Sequence, residues 1–127
     1  MLTKRILCVD NEESIRELLT TLLGLSDLEA VSTPDVDAAL RMMEGERFSL
    51  YILDGRMPGV SGLTLCEQIR EIDKDTPIVI FSGHSHQSDI DAGMLAGANA
   101  YLVKPDSSEL VATVKRLLEG ARHCKRQ

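Results

Sequence analysis

Residues 49–62, "SLYILDGRMPGVSG", decide how this chain folds. Ser49, Leu50, Tyr51, Ile52 and Leu53 form a short strand-favouring run without polar alternation, the pattern of a strand covered on both faces. The run ends on a carboxylate, Asp54. A turn-rich loop follows, with Pro58, Gly59 and Gly62 set to hold it in one shape. A strand covered on both faces belongs to a parallel sheet sandwiched by helices, and an acid at its end lies on the edge where such sheets bind ligands.

The rest of the chain repeats the alternation. "RILCV" (5–9), "LEAVS" (28–32), "PIVIF" (77–81) and "AYLV" (100–103) read as further strands. Between them lie helical periods. The first carries Ile15, Leu18, Leu19, Leu22 and Leu23 and stops at Gly24. The second opens on Thr33 as N-cap with Pro34 in its first turn, and turns Val36, Ala39, Leu40 and Met43 inward. The third starts near Gly62 with Leu63, Cys66, Ile69 and Ile72. The fourth, "HQSDIDAGMLAGA", carries two internal glycines at about 1 kcal/mol each relative to alanine. The last opens with Asp106 and Glu109 at capping-box spacing and buries Leu110, Val114, Leu117 and Leu118. The expected fold class is α/β, a doubly wound sheet of five parallel strands.

A chain of 127 residues is one domain by size, assigned to residues 1–127. Its 14 basic and 20 acidic residues give a net charge of −6, and aromatics make up 3%. That balance argues against direct nucleic-acid binding. No apolar run spans a bilayer and none reads as a secretory signal, so the expected location is the cytoplasm, without membrane contact. The three cysteines form no CxxC and read as reduced thiols. The basic residues Arg122, Lys125 and Arg126, in the tail from about 121, suit a helix end or the start of a linker.

The strand ends bring four groups to one rim: Asp10 after the first strand, Asp54 after the third, Ser82 after the fourth and Lys104 after the fifth. Two carboxylates about 5 Å apart repel by roughly 3 kcal/mol at an effective dielectric near 20. Such a pair calls for a hard cation, and Mg²⁺ suits oxygen ligands. Lys104 is then free to hold an anion. A phosphoryl group fits, with Asp54 as nucleophile, Ser82 as hydrogen-bond donor and Gly83 leaving room for entry. A backbone carbonyl in the loop, at Arg56, is the expected third metal ligand.

At this point "ILCVDNEE", "ILDGRMPGVSG", "IVIFSG" and "GANAYLVKP", in that order, resemble the receiver domain of two-component response regulators over essentially the whole chain. The resemblance implies a flavodoxin-like (βα)5 fold with strand order 2-1-3-4-5, an order the general rule for doubly wound sheets already illustrates with a receiver. It implies that Asp54 accepts phosphate from the phosphohistidine of a sensor histidine kinase or histidine phosphotransfer protein. Mg²⁺ is the implied cofactor, with Lys104 and Ser82 on the phosphoryl group. Tyr101 matches the switch aromatic, and Lys104–Pro105 a peptide bond usually cis. The fourth helix, fifth strand and fifth helix form the implied face toward a downstream effector or a second copy. Such a domain is a self-phosphorylating and self-dephosphorylating switch, not an enzyme on a separate substrate.

The chain departs from the family at Asn11, where a second acid is usual. An amide oxygen still ligates Mg²⁺ but adds no charge, so weaker Mg²⁺ binding is expected. Glu12, in the first helical turn, is the less direct route to the metal. Arg56 and His84 stand at positions that tune phosphoryl lifetime, and Asp106 replaces a frequent phenylalanine. The Asn11 substitution also leaves room for a degenerate receiver that binds partners without phosphorylation. An aspartate-nucleophile phosphatase would need a general acid where Arg56 stands, and arginine has no proton to give at neutral pH. A flavodoxin-like cofactor binder would need a phosphate cradle where the acidic "DNEES" loop lies.

Overall fold

In the computed structural model, which describes residues 4–57 and 60–125, the decisive run becomes strand β3, Leu50–Leu53. All four residues are buried. The flanking strands are β1 (Arg5–Val9), β2 (Glu29–Thr33), β4 (Ile78–Ser82) and β5 (Ala100–Val103). They pair parallel in the order β2-β1-β3-β4-β5, the doubly wound order expected. Helices α1 (Glu13–Gly24), α2 (Val36–Gly45), α3 (Gly62–Ile72) and α4 (Gln87–Ala96) occupy the crossovers, and α5 (Leu110–Lys125) follows β5.

The absence of polar alternation in the inner strands now has its cause. Successive residues point to opposite faces, and each face has its own core. Leu7, Val9, Leu53, Ile78 and Ile80 pack with Leu65 and Ile69 of α3 and Ala39 of α2. Ile6, Cys8, Ile52, Val79 and Phe81 pack with Leu19 and Leu23 of α1 and Leu110 and Val114 of α5. Cys8 and Cys66 are free, buried thiols, and burial pushes Cys8 up to about 12. Among the described residues no helix is long and apolar enough to cross a membrane.

Several local expectations need correction. Thr33 does not cap α2. It is the last residue of β2, paired with Val9, and the helix begins only at Val36. Asp35 takes the cap, its side chain accepting from Ala38 N–H at 2.7 Å. The Asp106–Glu109 capping box does not form: α5 starts at Leu110, and Asp106 accepts instead from Ser108 N–H and Oγ. Ile72 is 72% exposed, and Leu65 fills the core in its place. Of the two glycines expected inside α4, only Gly93 is interior; Gly97 is the left-handed C-cap, φ 119°. Ser82 lies within β4, paired with Val103, rather than beyond the strand. The loop positions Pro58 and Gly59 and the tail side chains of Arg122, Cys124, Lys125 and Arg126 lie outside the described residues.

Candidate functional site

Three charged residues sit one position beyond their strands, yet each keeps its backbone in the ladder. Asp10 N–H donates to Thr33 O at 3.1 Å, Asp54 N–H to Val9 O at 2.8 Å, and Lys104 N–H to Ser82 O at 2.8 Å. The side chains therefore project from fixed points on the sheet edge. Lys104 Nζ lies 2.9 Å from Asp10 Oδ2, 3.3 Å from Asp54 Oδ1 and 3.2 Å from Glu12 Oε1. The Asp10, Asp54 and Lys104 side chains are 2%, 6% and 10% exposed, so these charges meet largely outside water. The Phe81 ring, 6.0 Å from Nζ, adds a π-face below the ammonium.

This packing sets the proton affinities. Burial raises the Asp54 pKa, and the charge of Asp10 adds to the rise; Lys104 and the Arg56 N–H oppose both without cancelling them. For Lys104, burial alone would lower the pKa, but the hydrogen bond to Asp10 and the charges of Asp10 and Asp54 outweigh it and raise the net value. Both results report an excess of negative charge in a dry place. A divalent cation would relieve it.

The donors present fit such a cation. One oxygen each from Asp10, Glu12 and Asp54 lie within 4.8 Å of one another, three hard ligands of the kind Mg²⁺ takes. Glu12, expected only as the less direct route to the metal, is a full member of this cluster. A signal was available: it occupies the α1 N-cap, where Ser, Thr, Asp or Asn is preferred, and its side chain makes no cap bond. Asn11 is exposed. Arg56 donates its backbone N–H to Asp54 Oδ1 at 3.3 Å, while its side chain is exposed.

The loop after Asp54 is held by close approach. Arg56–Met57 pairs antiparallel with Val60–Ser61. Ser61 caps α3 by accepting from Thr64 N–H at 3.2 Å, and Gly62 N–H donates to Gly55 O at 3.2 Å. A Cβ on Gly62 would stand 1.8 Å from Asp54 O, so only glycine lets α3 begin there. A Cβ on Gly55 would meet Ser82 Oγ at 2.5 Å. Gly83 differs: it is exposed, and an added Cβ would meet nothing within 4 Å.

Ser82 is 1% exposed, and its Oγ accepts from His84 N–H at 3.2 Å. Tyr101 Oη donates to His84 O at 2.7 Å. Both flanks of the His84 backbone are thus tied to residues expected to act in switching. The Tyr101 ring lies over Gly93 of α4, where a Cβ would stand 2.9 Å from it. A pocket lined by Arg56, Ser61, Ser82, His84, Asp89 and Tyr101 opens beside the acidic cluster. The Lys104–Pro105 peptide is cis.

Comparison with known proteins decides the family. Residues 6–115 match the response regulator receiver domain. The chain belongs to that family. The receiver is 38% identical over 115 residues to the transcriptional regulatory protein PrrA of Mycobacterium tuberculosis, covering 90% of this chain and 49% of PrrA. It is 35% identical over 119 residues to a probable transcriptional regulator, ycf27, of Porphyridium aerugineum, covering 93% and 49%. It thus spans about half the length of the curated relatives it matches. Among solved structures, the response regulator TrrA of Thermotoga maritima, in complex with Mg²⁺ and BeF, superposes with a TM-score of 0.81 at 38% identity, covering 91% of this chain and 99% of TrrA. The chain is therefore a receiver domain of the response regulator family.

Proposed function

We propose that this receiver takes a phosphoryl group onto Asp54 from the phosphohistidine of a sensor histidine kinase or histidine phosphotransfer protein, in the cytoplasm, and passes the change to a downstream effector domain or protein. The observation that carries the reading is the Lys104 ammonium bonded at once to Asp10 and Asp54, within 3.3 Å, on a buried edge. An acid pair bridged by a cation already holds a carboxylate oxygen forward and supplies positive charge where a phosphoryl oxygen would come to rest.

Asp54 Oδ attacks phosphorus as the P–N bond of the donor breaks, and the histidine nitrogen leaves with the bonding pair. Asp54 is held by its own backbone bond to Val9 and by the Arg56 N–H, so the attack needs little rearrangement. When bound, Mg²⁺ supplies charge neutralisation at the phosphoryl oxygens, and Asp10 and Asp54 are the buried donors that would hold it. Lys104 turns toward the new dianion, and the Ser82 hydroxyl donates to one of its oxygens. That movement surrenders the Ser82 bond to His84 N–H, which frees the segment Tyr101 holds from the other side. The face of α4, β5 and α5 then reports the change as a population shift. The same site hydrolyses its own acyl phosphate, so the domain works as a timed switch and not as a turnover enzyme.

The test is incubation with a small acyl phosphate and Mg²⁺ followed by intact-mass measurement. One added phosphoryl unit in the wild type, absent in Asp54→Ala and absent under chelator, is the expected result. No adduct in the wild type would leave the degenerate, phosphorylation-independent receiver as the better account.

A further inference from the structure

Resting on the metal-dependent reading above, we infer that Glu12 supplies the negative charge that Asn11 does not, and is the third acidic donor of the metal site. The charge count motivates this. Asp10, Asp54 and Lys104 leave one net negative charge on the edge; with Glu12 the total is two, the balance that a second acid at position 11 would give.

The geometry explains how a residue outside the strand reaches the cluster. Glu12 N–H donates to Asp10 Oδ1 at 2.9 Å, so the backbone at position 12 is pinned to the same carboxylate that faces Lys104. Arg16 Nη1 donates to Asp10 O at 2.8 Å and Arg16 N–H to Glu12 O at 3.1 Å, closing the β1–α1 turn around the two acids. The Glu12 side chain is released from helix capping and lies instead on Lys104 Nζ, at 3.2 Å. Its carboxylate is 56% exposed, whereas Asp10 is 2% exposed. The exposed acid is the one that can swing. Glu12 bonds Lys104 and is placed to turn toward a cation held by Asp10 and Asp54. Lys104 is then unburdened on its outer side for the phosphoryl group, so a single side chain couples metal loading to the freeing of the lysine.

The expected consequence is measurable without any phosphorylation. Even at the dielectric of water, a unit charge about 5 Å from a divalent ion changes affinity by about tenfold. Calorimetric titration of the full chain with Mg²⁺ should therefore give about tenfold weaker binding for Glu12→Gln. The double variant Asn11→Asp with Glu12→Gln should recover wild-type affinity, because it restores the charge one residue away. Equal affinity of Glu12→Gln and wild type would overturn the inference, as would a double variant that stays weak. A wild type that binds no Mg²⁺ would instead overturn the metal-dependent reading itself, so the two failures are distinguishable. Glu12 is exposed, and thermal melts of each variant in chelator identify any that is misfolded.

Discussion

Gly62→Ala isolates the close approach on which the site's shape depends. The added methyl carbon would stand 1.8 Å from Asp54 O and 2.8 Å from the carbonyl carbon, and both are backbone atoms. No rotamer relieves such a contact, so the α3 N-terminus and the Asp54 backbone must part by roughly 1 Å or more. The Gly62 N–H bond to Gly55 O goes first, and the Asp54 carboxylate moves off Lys104 next. Overpacking of this kind costs about 1–3 kcal/mol of stability. Misplacing a reacting group by about 1 Å costs about 100-fold in rate. The expected outcome is a lowered melting temperature and phosphoryl uptake from a small acyl phosphate slowed by about two orders of magnitude. Ser61→Ala is the control: it removes the α3 cap, for about 1 kcal/mol, without touching Asp54. Should Gly62→Ala take up phosphoryl within about twofold of Ser61→Ala, the claim that this contact positions Asp54 is wrong.

Lys104→Met leaves Asp10 and Asp54 buried without their cation, which should cost about 3–5 kcal/mol in chelator, with part of the loss returned by Mg²⁺. A melting temperature unmoved by either change contradicts this. Arg70→Ala removes bonds to Gly97 O, Asp73 O, Thr76 O and Asn99 Oδ1, which tie α3 to the α4 C-cap and the start of β4. A loss of about 2–3 kcal/mol by urea unfolding is expected, and a loss below about 0.5 would count against it. The pH dependence follows from Asp73. Its burial alone would raise the pKa, but hydrogen bonds from Thr76 Oγ1 and from the Thr76 and Asp75 N–H groups outweigh that and lower it. A depressed pKa stabilises the folded state above the unfolded value, about 3.9, and that contribution fades as pH falls through the lower folded value. Asp73→Asn should therefore flatten stability against pH below about 5, and an unchanged slope would refute the assignment.

The sheet and its acidic edge were legible because they depend on local signals. Continuous apolar runs mark buried parallel strands, and an acid or lysine ending each run needs no knowledge of its neighbours. The misreadings have a common cause, competition between adjacent signals. Thr33, Pro34 and Asp35 offer two caps in three residues, and the pairing of Thr33 with Val9 in the sheet leaves the cap to Asp35. Ile72 keeps helical period with Ile69, but it is the last residue of α3 and the core does not extend to it. Arg70 is absent from the sequence reading, and Glu12 stands there only as the less direct route to the metal, for another reason: their partners come from distant parts of the chain. Glu12 meets Lys104 across 92 residues, and Arg70 reaches Gly97 and Asn99 across 27 and 29. No periodicity encodes the reach of a long side chain. Gly62 was read as a loop glycine, and its actual constraint, the carbonyl of Asp54 against its Cα, exists only once α3 is docked.

The account turns on Asp54 being the oxygen that takes the phosphoryl group. Borohydride reduction after exposure to a small acyl phosphate and Mg²⁺ converts an acyl-phosphorylated aspartate to homoserine, and peptide mass mapping then locates it. Homoserine at position 54, and none at position 10, is the predicted result. A label at Asp10, or a phosphoryl group held on a histidine with Asp54 unreduced, would contradict the assignment at its root.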